Sequence, residues 1–264
     1  MMKFGICTPY QDVLQIKERP FEYVEENVQR FLVPEEPEEV FEDHLRATSQ
    51  FSLPIEAANS FLPGSISLVA TSSQQVDTER INRYVQTAFR RAERAGIRVI
   101  VFGSGAARAC PPDFAKDEAL EQLAQHLTCW SEWAVEHGIA LVLEPLRYEE
   151  TNTFNTVDES GQFVSRHAAS GLRLLADVYH MASNREDPAT IVPWSSLLTH
   201  VHVAELQDRA APGRYGESFS PYFRALRQAG YDQRMSIECR WIDKEHEMKK
   251  GIQVLREQWA SSVS

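Results

Sequence analysis

The sequence predicts a single (β/α)8 barrel, eight parallel strands each followed by an outer helix. Three observations predict it. Eight short apolar, β-rich runs alternate with longer amphipathic stretches over 264 residues, about 33 residues per unit. Several helical patterns stop at a glycine that a strand follows at once, at Gly96, Gly138, Gly171 and Gly230. No Gly-rich dinucleotide fingerprint follows the first strand, which disfavours the doubly wound open sheet.

Taken in order, KFGICT (3–8) is the first strand and QDVLQIKERP after it a poor helix. FEYVEEN (21–27) is the second strand, and the acidic PEEPEE run beyond it reads as the solvated start of the helix PEEVFEDHLRATSQF. LPIEAAN (53–59) precedes TERINRYVQTAFRRAERAG, and RVIVFG (98–103) precedes DEALEQLAQHLTCWSEWAVEHG. ALVLEP (140–145) leads to TVDESGQFVSRHAASG, and LRLLAD (172–177) follows. THVHVAE (199–205) leads to SPYFRALRQAG, and MSIECRW (235–241) to the terminal DKEHEMKKGIQVLREQWA. The whole of 1–264 is expected to form one domain.

Hydrophobic residues make up 43% and no apolar run nears the roughly 18 residues of a membrane span, so no membrane segment is expected. MMKFGICTPY reads as a strand rather than a signal peptide, and a cytoplasmic location is expected. Cys7, Cys110, Cys129 and Cys239 are scattered without CxxC spacing, which fits structural thiols in a reducing compartment. A formal net charge of −11 argues against a nucleic-acid partner, because phosphates demand a basic footprint. A small-molecule partner fits better, and a homo-oligomer is compatible with the chain.

Barrel active sites lie at the C-terminal ends of the strands, so a polar residue closing an apolar strand is where chemistry is expected. Strand five ends in Glu144, strand six in Asp177, strand seven carries His200 and His202, and strand eight has Glu238. The intervals of 33, 25 and 36 residues each approximate one repeat, so neighbouring strands deliver one ligand each to a shared mouth. Two glutamates, an aspartate and an imidazole form an oxygen-rich set for a divalent metal ion. Mn2+ is the first choice, Mg2+ and Co2+ suit the set, and the imidazole admits Zn2+. Any one of these carboxylates alone reads equally well as the N-cap of the next helix, but three of them and a histidine in four successive units argue for a site. His202 is taken as the ligand and His200 as its support, whereas Glu205 is left open between a site residue and a helix-side contact.

At these residues the chain resembles the xylose isomerase-like TIM-barrel superfamily of sugar (phosphate) isomerases and epimerases, closest to the tagatose and psicose 3-epimerase branch. EPLRYEETNTFNT (144–156) is similar to the family's metal-binding Glu followed by a substrate-binding Glu, here Glu150. DVYHM (177–181) is similar to DxxHM, which implies a metal role for Asp177 and a sugar contact for His180. HVHVAELQDRAAPG (200–213) resembles HxHxxExNR, which implies that His202 binds metal and Arg209 binds substrate; Arg209 stands one residue farther along than in the pattern. SIECRW supplies the last ligand, Glu238. VFGSGAARACPPDF (101–114) resembles a GSGxAR segment, in which Arg108 either meets a substrate phosphate or carboxylate or lies on the surface of a tight turn.

The resemblance implies metal-dependent 3-epimerisation of a ketose or ketose phosphate through a cis-enediolate. Glu144 and Glu238 would be the catalytic acid–base pair, one removing the proton and the other returning it to the opposite face. An aldose–ketose isomerase of the hydroxypyruvate type and an inosose dehydratase use related chemistry. A non-catalytic sugar-binding barrel is the alternative outside enzymes.

Overall fold

The computed structural model describes residues 2–49 and 52–262. Its eight strands are β1 (Lys3–Cys7), β2 (Tyr23–Asn27), β3 (Ile55–Asn59), β4 (Val99–Phe102), β5 (Ala140–Leu143), β6 (Arg173–Asp177), β7 (Leu198–Val203) and β8 (Arg234–Ile237). All pair in parallel and in chain order, and β1 pairs with β8 to close the barrel. Each begins within two residues of its expected start. The eighth stops sooner than expected because the chain after Ile237 leaves the sheet: Arg240 N–H donates to Arg209 O, and Trp241 Nε1–H to Cys7 O.

Helices surround the sheet: α1 (Tyr10–Leu14), α2 (Glu38–Thr48), α3 (Thr78–Ala95), α4 (Gly105–Arg108), α5 (Lys116–Glu136), α6 (Val157–His167), α7 (Val178–Ser183), α8 (Ser220–Gln228) and α9 (Lys244–Ser261). The expected helix after the second strand is α2; its last two residues as read from sequence, Gln50 and Phe51, lie outside the described residues. All four glycines read as helix stops have positive φ, the left-handed step that ends a helix at little steric cost. The PEEPEE run is more than a solvated start. Glu38 accepts from Arg90 and Arg91 and pairs with Arg94, all on α3, and the hydrogen bonds from Arg90 and Arg91 hold its carboxyl down to about 2.

Apolar burial is divided in two. Between sheet and helices, Trp130 of α5 meets Phe61 and Phe102 edge-on at 6.0 and 6.2 Å, and each such buried ring contributes about 1.5–3 kcal/mol. Inside the barrel, Tyr23, Val99, Val101, Val142 and Leu175 fill the lumen. Gly5 makes room for the Tyr23 ring, since a Cβ there would lie 2.3 Å from it. Across the other end, Glu56 accepts from Lys3 and from Arg234, each at 2.6 Å, a tie at the face of the barrel where polar residues serve stability. Glu25, Glu144, Asp177, His180 and His202, also buried, gather above the lumen toward the C-terminal ends of the strands.

Candidate metal centre

Glu144 follows β5, Asp177 closes β6, His202 lies in β7 and Glu238 follows β8. Strand alternation turns each side chain inward, and the register sets Asp177 beside His202. The four residues offer one ligand atom each, and these atoms lie within 4.8 Å of one another. His202 Nδ1 is 3.0 Å from Glu144 Oε1 and 3.3 Å from Glu238 Oε2.

Asp177 reconciles its two readings by using one oxygen for each. Its Oδ1 accepts from Tyr179 N–H at 2.7 Å and His180 N–H at 3.4 Å, capping α7. Its Oδ2 is buried without a hydrogen bond, as is His180 Nε2, and the two stand 3.5 Å apart. Buried polar atoms are nearly always satisfied; Arg209 Nη2 stands 3.6 Å from Oδ2, within ion-pair but beyond hydrogen-bond reach, so Oδ2 and His180 Nε2 both retain capacity for a ligand among these carboxylates. An O3N donor set with a single imidazole fits a divalent cation.

The carboxyls do not share one acidity. Burial raises Glu144, and Glu238 and Asp177 add to the rise while His202 opposes it. Burial would also raise Glu238, but Arg209 and His202 hold it well below the usual carboxylate range. Burial opposes a charged His202, yet Glu25 and Glu238 keep the ring's affinity for a proton well above the ordinary value.

Arg209 donates to Glu238 Oε2 and lies 4.8 Å over the Tyr179 ring. It and Asp208 have φ of 50° and 60°, a left-handed stretch costly for non-glycine residues. Glu205 holds that loop: its buried carboxylate accepts from the N–H groups of Gly213, Tyr215, Gly216 and Glu217. Glu205 therefore supports the loop that carries Arg209. His180 Nδ1 accepts from Arg147 N–H at 3.3 Å, and Glu150 at the rim accepts from Arg147 Nε at 2.7 Å.

Arg108 departs from both of its readings. It is 0% exposed, its guanidinium stands over the Phe102 and Phe154 rings, and it donates to Glu144 O at 2.8 Å. It tethers the backbone at the end of β5 and is not presented to a substrate. Gly103 in the same segment matters through space, because a Cβ there would lie 2.3 Å from Glu144 Oε2. The end of a flexible side chain can yield, so Gly103→Ala is expected to leave the melting temperature nearly unchanged. It should lower kcat/KM by about 100-fold by displacing the carboxylate, as steady-state kinetics beside a thermal melt will measure.

Sequence reasoning missed Glu25, which lies on the inward face of β2 and is 1% exposed. Its Oε1 accepts from His202 Nε2 at 2.9 Å and its Oε2 from His200 Nε2 at 2.7 Å. Asn59 at the end of β3 was also missed; it donates to Glu238 Oε1 at 2.7 Å. A cavity of about 240 Å³ opens beside Glu238 and Glu25, lined also by Cys7, Asn27, Asn59 and Trp241.

The family described as Xylose isomerase-like TIM barrel matches residues 13–258. The chain belongs to this family. Within the xylose isomerase-like barrels, D-psicose 3-epimerase of Enterocloster bolteae is 26% identical over 136 residues, 50% of this chain and 45% of that protein, so the match spans about half of either. The solved 3-keto-D-glucoside 4-epimerase of E. coli superposes with a TM-score of 0.78 at 19% identity, covering 98% of this chain and 100% of that one. D-allulose 3-epimerase from Methylomonas sp., solved with D-allulose, gives 0.79 at 17% identity and 97% of both chains. At such identities the structural likeness speaks for the fold. Among the described residues no helix is long and apolar enough to cross a membrane.

Proposed function

We propose that this chain is a divalent-metal-dependent sugar epimerase that inverts C3 of a ketose by proton transfer between two glutamates. The observation that carries the reading is the convergence of Glu144, Asp177, His202 and Glu238 from four successive units onto one centre. The named activities of the similar proteins, D-psicose 3-epimerase and 3-keto-D-glucoside 4-epimerase, support it. These four residues would hold the cation, Mn2+ first and Mg2+, Co2+ or Zn2+ as alternatives. When bound, it supplies Lewis-acid polarisation of the carbonyl and offsets the clustered negative charge.

The chain's own groups account for the proton. One of Glu144 and Glu238 removes the C3 hydrogen, and the C–H electron pair shifts to form the C2–C3 double bond while the carbonyl π pair moves onto the C2 oxygen. The other glutamate delivers a proton to the opposite face of C3, and the carbonyl re-forms with the centre inverted. His180, with its free Nε2, and Arg209 are placed to orient sugar oxygens, and Glu150 stands at the rim. Arg30 and Lys244, which line the cavity, already pair with Glu26 and Asp12. Paired cations favour a neutral ketose over a ketose phosphate.

The test incubates the protein, stripped by chelation and reloaded with Mn2+, with a panel of free ketoses and ketose phosphates. Interconversion of C3 epimers that chelation abolishes and Mn2+ restores is the expected result. Aldose formation instead would assign an aldose–ketose isomerase, and a panel with no turnover and no metal uptake would remove the proposal.

A further inference from the structure

Glu25 is a carboxylate buried in the lumen, on the far side of His202 from the ligand cluster. Such a group is costly unless it is well bonded, and this one is bonded to a pattern. Its two oxygens form a fork that takes the Nε2 of both β7 histidines, at 2.9 Å for His202 and 2.7 Å for His200. Ser236 Oγ donates to the same Oε2 at 2.6 Å, and the Tyr23 hydroxyl lies 2.7 Å from Ser236 Oγ. Tyr23 can thus donate to Ser236 while Ser236 donates to Glu25. A carboxylate is an acceptor only, so a ring nitrogen bonded to it must carry hydrogen. A neutral imidazole has one N–H. Nδ1 lies 3.0 Å from Glu144 Oε1, so by the same rule it carries hydrogen while no cation is bound; when a cation displaces that proton, Nε2 keeps the one N–H and Nδ1 presents a lone pair toward Glu144 and Glu238.

We propose that Glu25 is the positioning residue for His202, fixing its Nε2–H tautomer and ring orientation so that Nδ1 is free to bind the cation. The inference rests on the metal reading above and deepens it. Both Glu25 oxygens are taken by the two histidines, so in this role it acts through the imidazole, and carboxylates behind a ligating histidine raise its basicity as well as orienting it. The fork gives the substitution a definite consequence. A glutamine keeps the volume of Glu25 but has a single acceptor oxygen, so one of the two rings must face an NH2 group. If that ring is His202, its tautomer reverses and Nδ1 is blocked by hydrogen. If it is His200, His202 still loses its charged partner.

Two measurements decide the matter. Calorimetric titration of Mn2+ into metal-stripped protein should show Glu25→Gln binding about 10–100-fold more weakly than wild type, with a thermal melt confirming that the variant is folded. Long-range proton–nitrogen correlation spectra of Zn2+-loaded wild type, with 15N-labelled histidine, should show His202 with hydrogen on Nε2. Wild type that takes up no divalent ion defeats the metal reading itself. Wild type that binds while Glu25→Gln binds equally well overturns the role of Glu25 alone. Should the variant not fold, the wild-type spectrum still decides: hydrogen on Nδ1 of His202 contradicts the proposal, and hydrogen on Nε2 supports it.

Discussion

Glu144→Gln and Glu238→Gln are each expected to lower kcat by at least about 10²–10⁴-fold, the usual worth of a placed acid–base group, while KM for the ketose changes little. Each glutamine retains a neutral oxygen at the centre, so metal affinity should fall less than turnover. Inversion needs a group on either face of C3, so losing one breaks the same relay as losing both. The double variant should therefore be about as inactive as either single one, the non-additive behaviour of residues that act as a unit. Kinetics of the three variants with Mn2+ titrations alongside will measure this. A double variant whose loss is the product of the single losses would mean that the glutamates act independently.

The second large effect separates the two polar residues of the β6–α7 junction. Asp177→Asn should weaken Mn2+ binding by roughly 100-fold or more, beyond the effect of losing a group that only supports a ligand. Folding should survive, because asparagine caps a helix about as well as aspartate and the Oδ1 bonds to Tyr179 and His180 N–H can persist. His180→Ala should leave Mn2+ affinity within about threefold, well short of the loss expected for a ligand or its support, and lower kcat/KM. Equal metal loss in both variants would overturn the division of labour, and His180 would then count among the ligands.

The barrel was legible because each strand is an apolar run bounded by turn signals, and because Asp177 and Glu238 interrupt such runs at the repeat spacing. The same logic failed at Glu25, where Glu25 and Glu26 stand side by side in FEYVEEN and strand alternation sends them to opposite faces. Which of the pair points inward is decided by Tyr23, a large ring admitted to the lumen only because Gly5 lies beside it. That pairing joins β1 to β2 and leaves no local trace. Arg108 was misjudged for a similar reason. A buried guanidinium needs aromatic faces and a carbonyl, and two of its three partners, Phe154 and Glu144, lie 46 and 36 residues away. The acidic run at the start of α2 looked merely solvated because the arginine partners of Glu38 stand on α3. His202 and its cluster were readable because strand ends converge by topology, whereas the hydrogen bonds that hold His202 depend on contacts between distant strands.

The most direct test of two-glutamate inversion is deuterium incorporation from D2O at C3, followed separately from each of the two C3 epimers. Wild type should label C3 whichever epimer is supplied, together with inversion. Each glutamine variant should still label one epimer, the one whose C3 hydrogen faces the remaining glutamate, without inverting it, and the two variants should label opposite epimers. Label at C1 or C2, or the same epimer labelled by both variants, would contradict the account.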